Sequence, residues 1–257
     1  MCIENTPIHL GSCSWQRRDV VWQQAPNAYD VSEGSVHIWR FFLDESYALA
    51  QGGASDLLTS EEYQRWHGMA SARRKLEYLT GRVMLRRLMA LYQNIPAQGQ
   101  PHQSIHIRDH KTDAPEPPPP LCASLSHSGA VLLIALARQP VGIDVEKPRT
   151  AAHYPHIARK MFPPTWAQAL MRLSHAPQRQ AILFARYWTA VESLYRLEGH
   201  GLLRSFVKET ATDRFQENKN WGCHFHAGNS HIAALTASHP CALSCYQANA
   251  AFLAALT

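Results

Sequence analysis

The chain has 257 residues, 46% hydrophobic and 18% charged, which excludes a disordered polymer and leaves room for one large core or two smaller ones. Its longest apolar run, Ala130 to Ala137, is far too short to span a bilayer, and Met1-Cys2-Ile3-Glu4 lacks the basic-then-apolar start of a secretory signal. A soluble, cytoplasmic protein with no membrane attachment is therefore expected. The formal net charge of +5, with fifteen histidines besides, points to an acidic or phosphorylated partner, but no compact basic run with interleaved aromatics marks a nucleic-acid binder.

Residues 1–34 read as a loop-rich N-terminal extension. Val36 to Phe42 predicts a first strand, and Thr59-Ser60-Glu61-Glu62 has the form of a capping box that opens a helix. From Ser71 to Tyr92, Leu76, Leu79, Val83, Leu88 and Leu91 recur at roughly helical spacing, with Arg73, Arg74, Lys75, Arg82, Arg86 and Arg87 on the other face. Ile105-His106-Ile107 predicts a short strand, and Pro115 to Pro120 an extended surface loop. Ser124 to Ala137 is strand-like, and Arg138-Gln139-Pro140 is expected to turn it into a hairpin with Val141 to Glu146. Residues 151–200 read as mainly helical, and Trp221 to Gln247 as short strands. The order strand, helices, strands occurs twice, with a break near Pro140. That predicts an α+β fold of two similar half-domains, residues 35–140 and 141–257. The six cysteines have no small-scaffold spacing and are expected to be reduced and mostly buried.

Strand alternation in Val141-Gly142-Ile143-Asp144-Val145-Glu146 puts Gly142, Asp144 and Glu146 on one face and three branched apolar residues on the other. Glu192 follows in a helical stretch. Three carboxylates suit a hard divalent cation whose remaining oxygens come from a substrate phosphate. Taken alone, Asp144 and Glu146 read more readily as solvated edge-strand residues, and Glu192 as the partner of Arg196 in an i,i+4 pair. Ser124-Leu125-Ser126-His127-Ser128-Gly129 offers hydroxyls, an imidazole and a glycine for phosphate or ribose oxygens; it lacks a nucleophile elbow and also reads as a plain polar strand entry. Cys223, His224, His226, His231, Cys241 and Cys245 invite a zinc reading, yet their spacings match no common closed site, so alternating strand residues are the better account. The basic helix face is a solvated face or a phosphate contact.

In this order the segments Arg73 to Arg82, Ser124 to Gly129, Val141 to Lys147 and Trp188 to Arg196 resemble those of a 4′-phosphopantetheinyl transferase of the larger, pseudo-dimeric type, over roughly residues 36–240. The resemblance implies two αβ half-domains in a pseudo-twofold relation with the site at their interface. It implies a monomeric holo-acyl-carrier-protein synthase that moves the phosphopantetheine arm of coenzyme A onto a serine of an acidic apo carrier protein, releasing adenosine 3′,5′-bisphosphate. Asp144, Glu146 and Glu192 would hold Mg²⁺, with Glu192 also taking the serine proton. Ser126 and His127 would meet the nucleotide end of coenzyme A, as would Lys111, and Arg74 or Lys75 would contact phosphate. Arg196 stands where the family usually has a lysine near the pyrophosphate. A second usual lysine is replaced by Val191, beside Glu192, which leaves open a homologue that binds coenzyme A or a carrier without turnover. A nucleic-acid binder has only the net charge in its favour.

Overall fold

A computed structural model describes residues 7–10, 13–94, 121–198 and 220–256. Three short strands come first: β1 (Ile8–Leu10), β2 (Cys13–Arg17) and β3 (Trp22–Gln23). Then follow β4 (Ser35–Phe42), α1 (Leu43–Gly52), α2 (Ala54–Leu57), α3 (Ser60–Gly68), the long α4 (Ala72–Gln93), and strands β5 (Cys122–Ser128) and β6 (Val131–Ala137). The same order then recurs: β7 (Val141–Glu146), α5 (Tyr154–Met161), α6 (Pro164–Met171), the long α7 (Pro177–Glu198), and strands β8 (Trp221–His226) and β9 (Ile232–Ala237). β10 (Ala242–Gln247) and α8 (Ala250–Ala255) close the described chain. The fold is α+β, built from two similar half-domains.

The repeat extends to strand pairing. In the first half β6 lies between β4 and β5; in the second β9 lies between β7 and β8, and all four pairings are antiparallel. Each half also pairs with a strand from the far end of the chain. β2 runs parallel to β8, and β10 runs parallel to β4, giving sheets ordered β1-β2-β8-β9-β7 and β3-β10-β4-β6-β5. Within the loop-rich N-terminal stretch, residues 8–10, 13–17 and 22–23 are strands that the sequence reading did not assign. These strands are too short to show a period of their own and are held by the neighbours they pair with.

Alternating side chains explain the layering. Trp39, Phe41, Leu132, Ile134 and Leu136 face the helices α1, α4 and α8, whereas Ile38, Leu133 and Ala135 face the other sheet. On that other sheet Ile143, Val145, Phe225, Ala233 and Leu235 complete the inter-sheet core. A third apolar cluster lies between it and α5, α6 and α7, built on Phe184, Tyr187 and Leu194. The order of layers is helices, sheet, sheet, helices. β6 is buried along its whole length and flanked on both sides, so it has no free edge to offer β7. This corrects the expected hairpin: β6 instead pairs with β5 across Gly129-Ala130, and the chain crosses to the other sheet at Pro140. Gly129, at φ 58°, makes the tight turn that divides the one expected strand into two.

Local signals fared well where the partner is also local. Thr59 and Glu62 form both halves of the capping box, at 3.1 and 3.0 Å, and Ser71 caps α4. The basic face of α4 is not wholly solvated, since Arg86 and Arg87 are buried and Arg86 donates to Glu62 at 2.8 Å. The described cysteines are free thiols, four buried and Cys241 half-buried. Among the described residues no helix is long and apolar enough to cross a membrane. The expectations for Ile105 to Ile107 and Pro115 to Pro120 lie outside the described residues.

His224 is buried under α7, where its Nε2–H donates to the Arg186 carbonyl at 2.9 Å. Burial, reinforced by the Arg186 charge, pushes its pKa from 6.5 down to about 3. The unfolded chain therefore binds a proton that the folded chain refuses, so this contribution to stability is whole above pH 6.5 and is lost as pH falls toward 3. Urea unfolding should show His224→Gln losing about 2 kcal/mol less stability than the parent between pH 7 and pH 5. Equal losses in the two proteins would contradict the assignment.

Candidate active site

β7 is the terminal strand of one sheet and β5 that of the other, and the two edges run side by side in the same direction. They belong to separate backbone ladders, and serine hydroxyls span the seam. Ser124 Oγ accepts from Ile143 N at 3.0 Å, Ser126 Oγ from Val145 N at 3.3 Å, and Ser128 Oγ from Lys147 N at 3.1 Å. The alternation of serines along β5 matches the alternation of inward-pointing amides along β7, both with period two.

Each of the last two hydroxyls has a second use. Ser126 donates to Asp144 Oδ1 at 2.6 Å and Ser128 donates to Glu146 Oε2 at 2.9 Å. The seam that joins the sheets therefore also aims the two β7 carboxylates. Gly142 occupies the third position of this face because α7 crosses there; a Cβ would collide with the Ser193 carbonyl oxygen. Ser193 Oγ and Thr236 Oγ1 lie 2.7 Å apart beneath that crossing, and Trp15 Nε1 donates to Thr236 at 3.1 Å.

The close approach of α7 delivers Glu192 and Arg196. Arg196 donates to the Leu125 carbonyl at 2.9 Å and to Asp144 Oδ1 at 3.3 Å, and its guanidinium lies 3.9 Å from Glu192. One side chain thus touches β5, β7 and its own helix. Asp144 is 3% exposed, and its Oδ2 has no hydrogen-bond partner. Burial drives its pKa up to about 8; Arg196 and Ser126 pull the other way, while Glu192 and Glu146 add to the rise. Burial also raises Glu146 and Glu192 above the ordinary carboxylate range, with Glu146 repelling charge on Glu192. Three carboxylates that destabilise one another's charge, with one buried oxygen left unpartnered, fit a cation. Among the described residues no three such side chains form a self-sufficient metal cage. Oxygens from a bound phosphate would have to complete the shell, as is usual for Mg²⁺.

At the rim, His127 is 36% exposed, and its Nδ1 lies 3.8 Å from Glu77 on α4. Glu77 in turn accepts from Arg73 at 2.7 Å. Burial lowers the His127 pKa, opposed by Glu77 and supported by Arg196 and Arg73. The α4 cation linked electrostatically to His127 is thus Arg73, one residue before Arg74; Arg74 is exposed and Lys75 half-buried on the adjoining turn. Ser126 does not face outward with His127: it is buried and its hydroxyl is engaged by Asp144 and Val145. Lys111 lies outside the described residues. From the sequence Ser124 and Ser128 read only as hydroxyls of a polar strand entry, Arg73 only as part of a basic helix face, and Glu77 carried no signal. The period-two serines opposite a period-two carboxylate strand were the signal available for the first two.

Val191 is 1% exposed and packs in the apolar cluster under α7, so it faces away from the carboxylates. The Cys223–Cys245 region forms no metal cluster among the described residues: Cys223 and Cys245 lie in the inter-sheet core, His224 under α7, and His226 is exposed.

A family model described as the 4′-phosphopantetheinyl transferase superfamily matches residues 140–245, which hold β7, α7, Asp144, Glu146, Glu192 and Arg196. The 4′-phosphopantetheinyl transferase HetI of Nostoc sp. is 28% identical over 194 residues, covering 71% of this chain and 76% of its own. The protein slr0495 of Synechocystis sp. is 29% identical over 156 residues, 58% of this chain and 60% of its own. A 4′-phosphopantetheinyl transferase of Bacillus subtilis is 32% identical over 84 residues, 33% of this chain and 36% of its own.

A buried carboxylate with one bare oxygen weakens the fold that holds it. Asp144→Asn should raise the stability of the metal-free protein at pH 7 by about 1–2 kcal/mol, read by denaturant unfolding. A large loss of stability would mean that the Arg196 contact outweighs burial.

Proposed function

Since the chain belongs to the 4′-phosphopantetheinyl transferase superfamily, we propose that it transfers 4′-phosphopantetheine from coenzyme A to a serine of an acidic apo carrier protein, releasing adenosine 3′,5′-bisphosphate. The observation that carries this reading is Asp144, buried, with Oδ1 held by Ser126 and Arg196 and Oδ2 bare. Asp144, Glu146 and Glu192 are the residues that would hold Mg²⁺. Bound there, the ion would neutralise charge on the diphosphate of coenzyme A and on the departing bisphosphate.

The chain's own groups supply the rest. Ser126 and Ser128 fix the β7 carboxylates through Asp144 Oδ1 and Glu146 Oε2 and leave Asp144 Oδ2 unengaged. Glu192 has a raised pKa and is the base that takes the proton as the carrier serine oxygen attacks phosphorus and the phosphoanhydride bond breaks. His127 and the cations Arg73, Arg74 and Lys75 on the neighbouring helix form the rim that receives the nucleotide phosphates; Lys111 is assigned to the same end. Arg196 lies between the carboxylates and that rim and contacts the diphosphate. The nucleophile comes from the partner, which accounts for a site with no activated serine or cysteine of its own. Both half-domains come from one chain, so the protein acts as a monomer, in the cytoplasm where coenzyme A and carriers meet. The non-catalytic alternative drew on Val191, and its burial in the helical core makes that position neutral to the charge at the site.

Incubation with coenzyme A, Mg²⁺ and a panel of apo carriers should add one phosphopantetheine mass to at least one carrier. A folded protein that modifies none would overturn the reading. Glu146→Ala should lower turnover ~100-fold with little change in melting temperature. Val191→Lys should cost roughly 3 kcal/mol of stability and bring no gain in rate, because its charge would be buried unpaired; a faster variant of unchanged stability would contradict the placement of Val191.

A further inference from the structure

His231, in the turn just before β9, belongs to none of the roles assigned so far. It is 7% exposed, and its Nε2–H donates to the Ser128 carbonyl at 3.0 Å, across from one sheet to the other. Ser230 Oγ donates to Nδ1 at 3.2 Å, which sets the tautomer with the proton on Nε2. The turn holding both residues is closed by Ala227 N donating to the His231 carbonyl at 3.0 Å. The imidazole rests against Gly129, where a Cβ would lie 3.2 Å from Nε2. Burial and the charges of Lys147, Arg149 and Arg40 keep the ring neutral, against the pull of the Ser128 carbonyl.

The bond matters because of what else Ser128 does. Its hydroxyl accepts from Lys147 N and donates to Glu146 Oε2. On its far side the β5–β6 turn is held by Leu43 N donating to the Ala130 carbonyl at 2.8 Å. His231 thus adds a restraint to the β7-bearing sheet at the end of the seam where Glu146 sits, on the same residue whose hydroxyl orients that carboxylate. We propose that His231 is a positioning residue that sets the orientation of Glu146 by holding the Ser128 carbonyl from the β8–β9 turn. The role rests on the assignment of Glu146 as a metal-holding residue; outer partners of this kind tune metal affinity without touching the metal.

The test is calorimetric titration of Mg²⁺ into protein saturated with coenzyme A, alongside the transfer assay and melting temperatures. His231→Ala should weaken Mg²⁺ binding roughly 10-fold and raise the Mg²⁺ concentration for half-maximal rate to match. Ser128→Ala should do the same, and the double variant should be no weaker than Ser128→Ala alone, because both act through one bond chain. His231→Gln, which restores an amide donor to the carbonyl, should recover affinity. An His231→Ala protein with parental Mg²⁺ affinity and only a lower melting temperature would overturn the positioning role, as would additive losses in the double variant. A parent protein that binds no Mg²⁺ and modifies no carrier would overturn the functional reading and this role together.

Discussion

The seam between β5 and β7 is the contact on which the arrangement of the site depends. Two sheets end there, and each strand offers a row of backbone groups that needs partners. Direct pairing would merge them into one ladder and turn residues 142, 144 and 146 into ordinary sheet-face positions. Serine hydroxyls take the place of that ladder, capping the amides of Ile143, Val145 and Lys147 in turn. A hydroxyl can accept and donate at once, so the group that satisfies the β7 backbone also holds the carboxylate beside it. Satisfying the edge and orienting the site are the same set of bonds.

Two further constraints converge on this seam. Gly142 removes the side chain that would keep α7 away, and the Ser193–Thr236–Trp15 network satisfies the buried hydroxyls beneath the crossing. Only at that distance does Arg196 reach the Leu125 carbonyl and Asp144 together. The result is a site crowded with carboxylates, which are held above their ordinary pKa range chiefly by burial. Such strain lowers the stability of the empty protein, and in the proposed function a cation with its phosphate ligands would relieve it.

Much of this was legible in the sequence where cause and effect lie close together. The D-x-E alternation, the capping box at Thr59 and the paired half-domain order all depend on neighbours a few residues away. The seam did not announce itself, because Ser126 and Asp144 are eighteen residues apart and belong to different sheets. Ser126 and His127 part company, one buried in the seam and the other at the rim, because adjacent strand residues face opposite ways. Arg86 and Arg87 read as solvated because composition cannot show that α3 covers part of α4. Val191 looked like a missing charge at the site until its helix face was known. β1, β2 and β3 were invisible because they are short and because β2 and β3, which tie them into the sheets, pair with strands from the other end of the chain.

The central claim, that side-chain hydroxyls rather than a backbone ladder close the β7 edge, is most directly tested by amide hydrogen exchange at single-residue resolution. Ile143, Val145 and Lys147 should be protected in the parent protein, and Ser126→Ala should release Val145 selectively while Ile143 and Lys147 keep most of their protection. Rapid exchange of all three amides in the parent, or unchanged protection of Val145 in the variant, would contradict it.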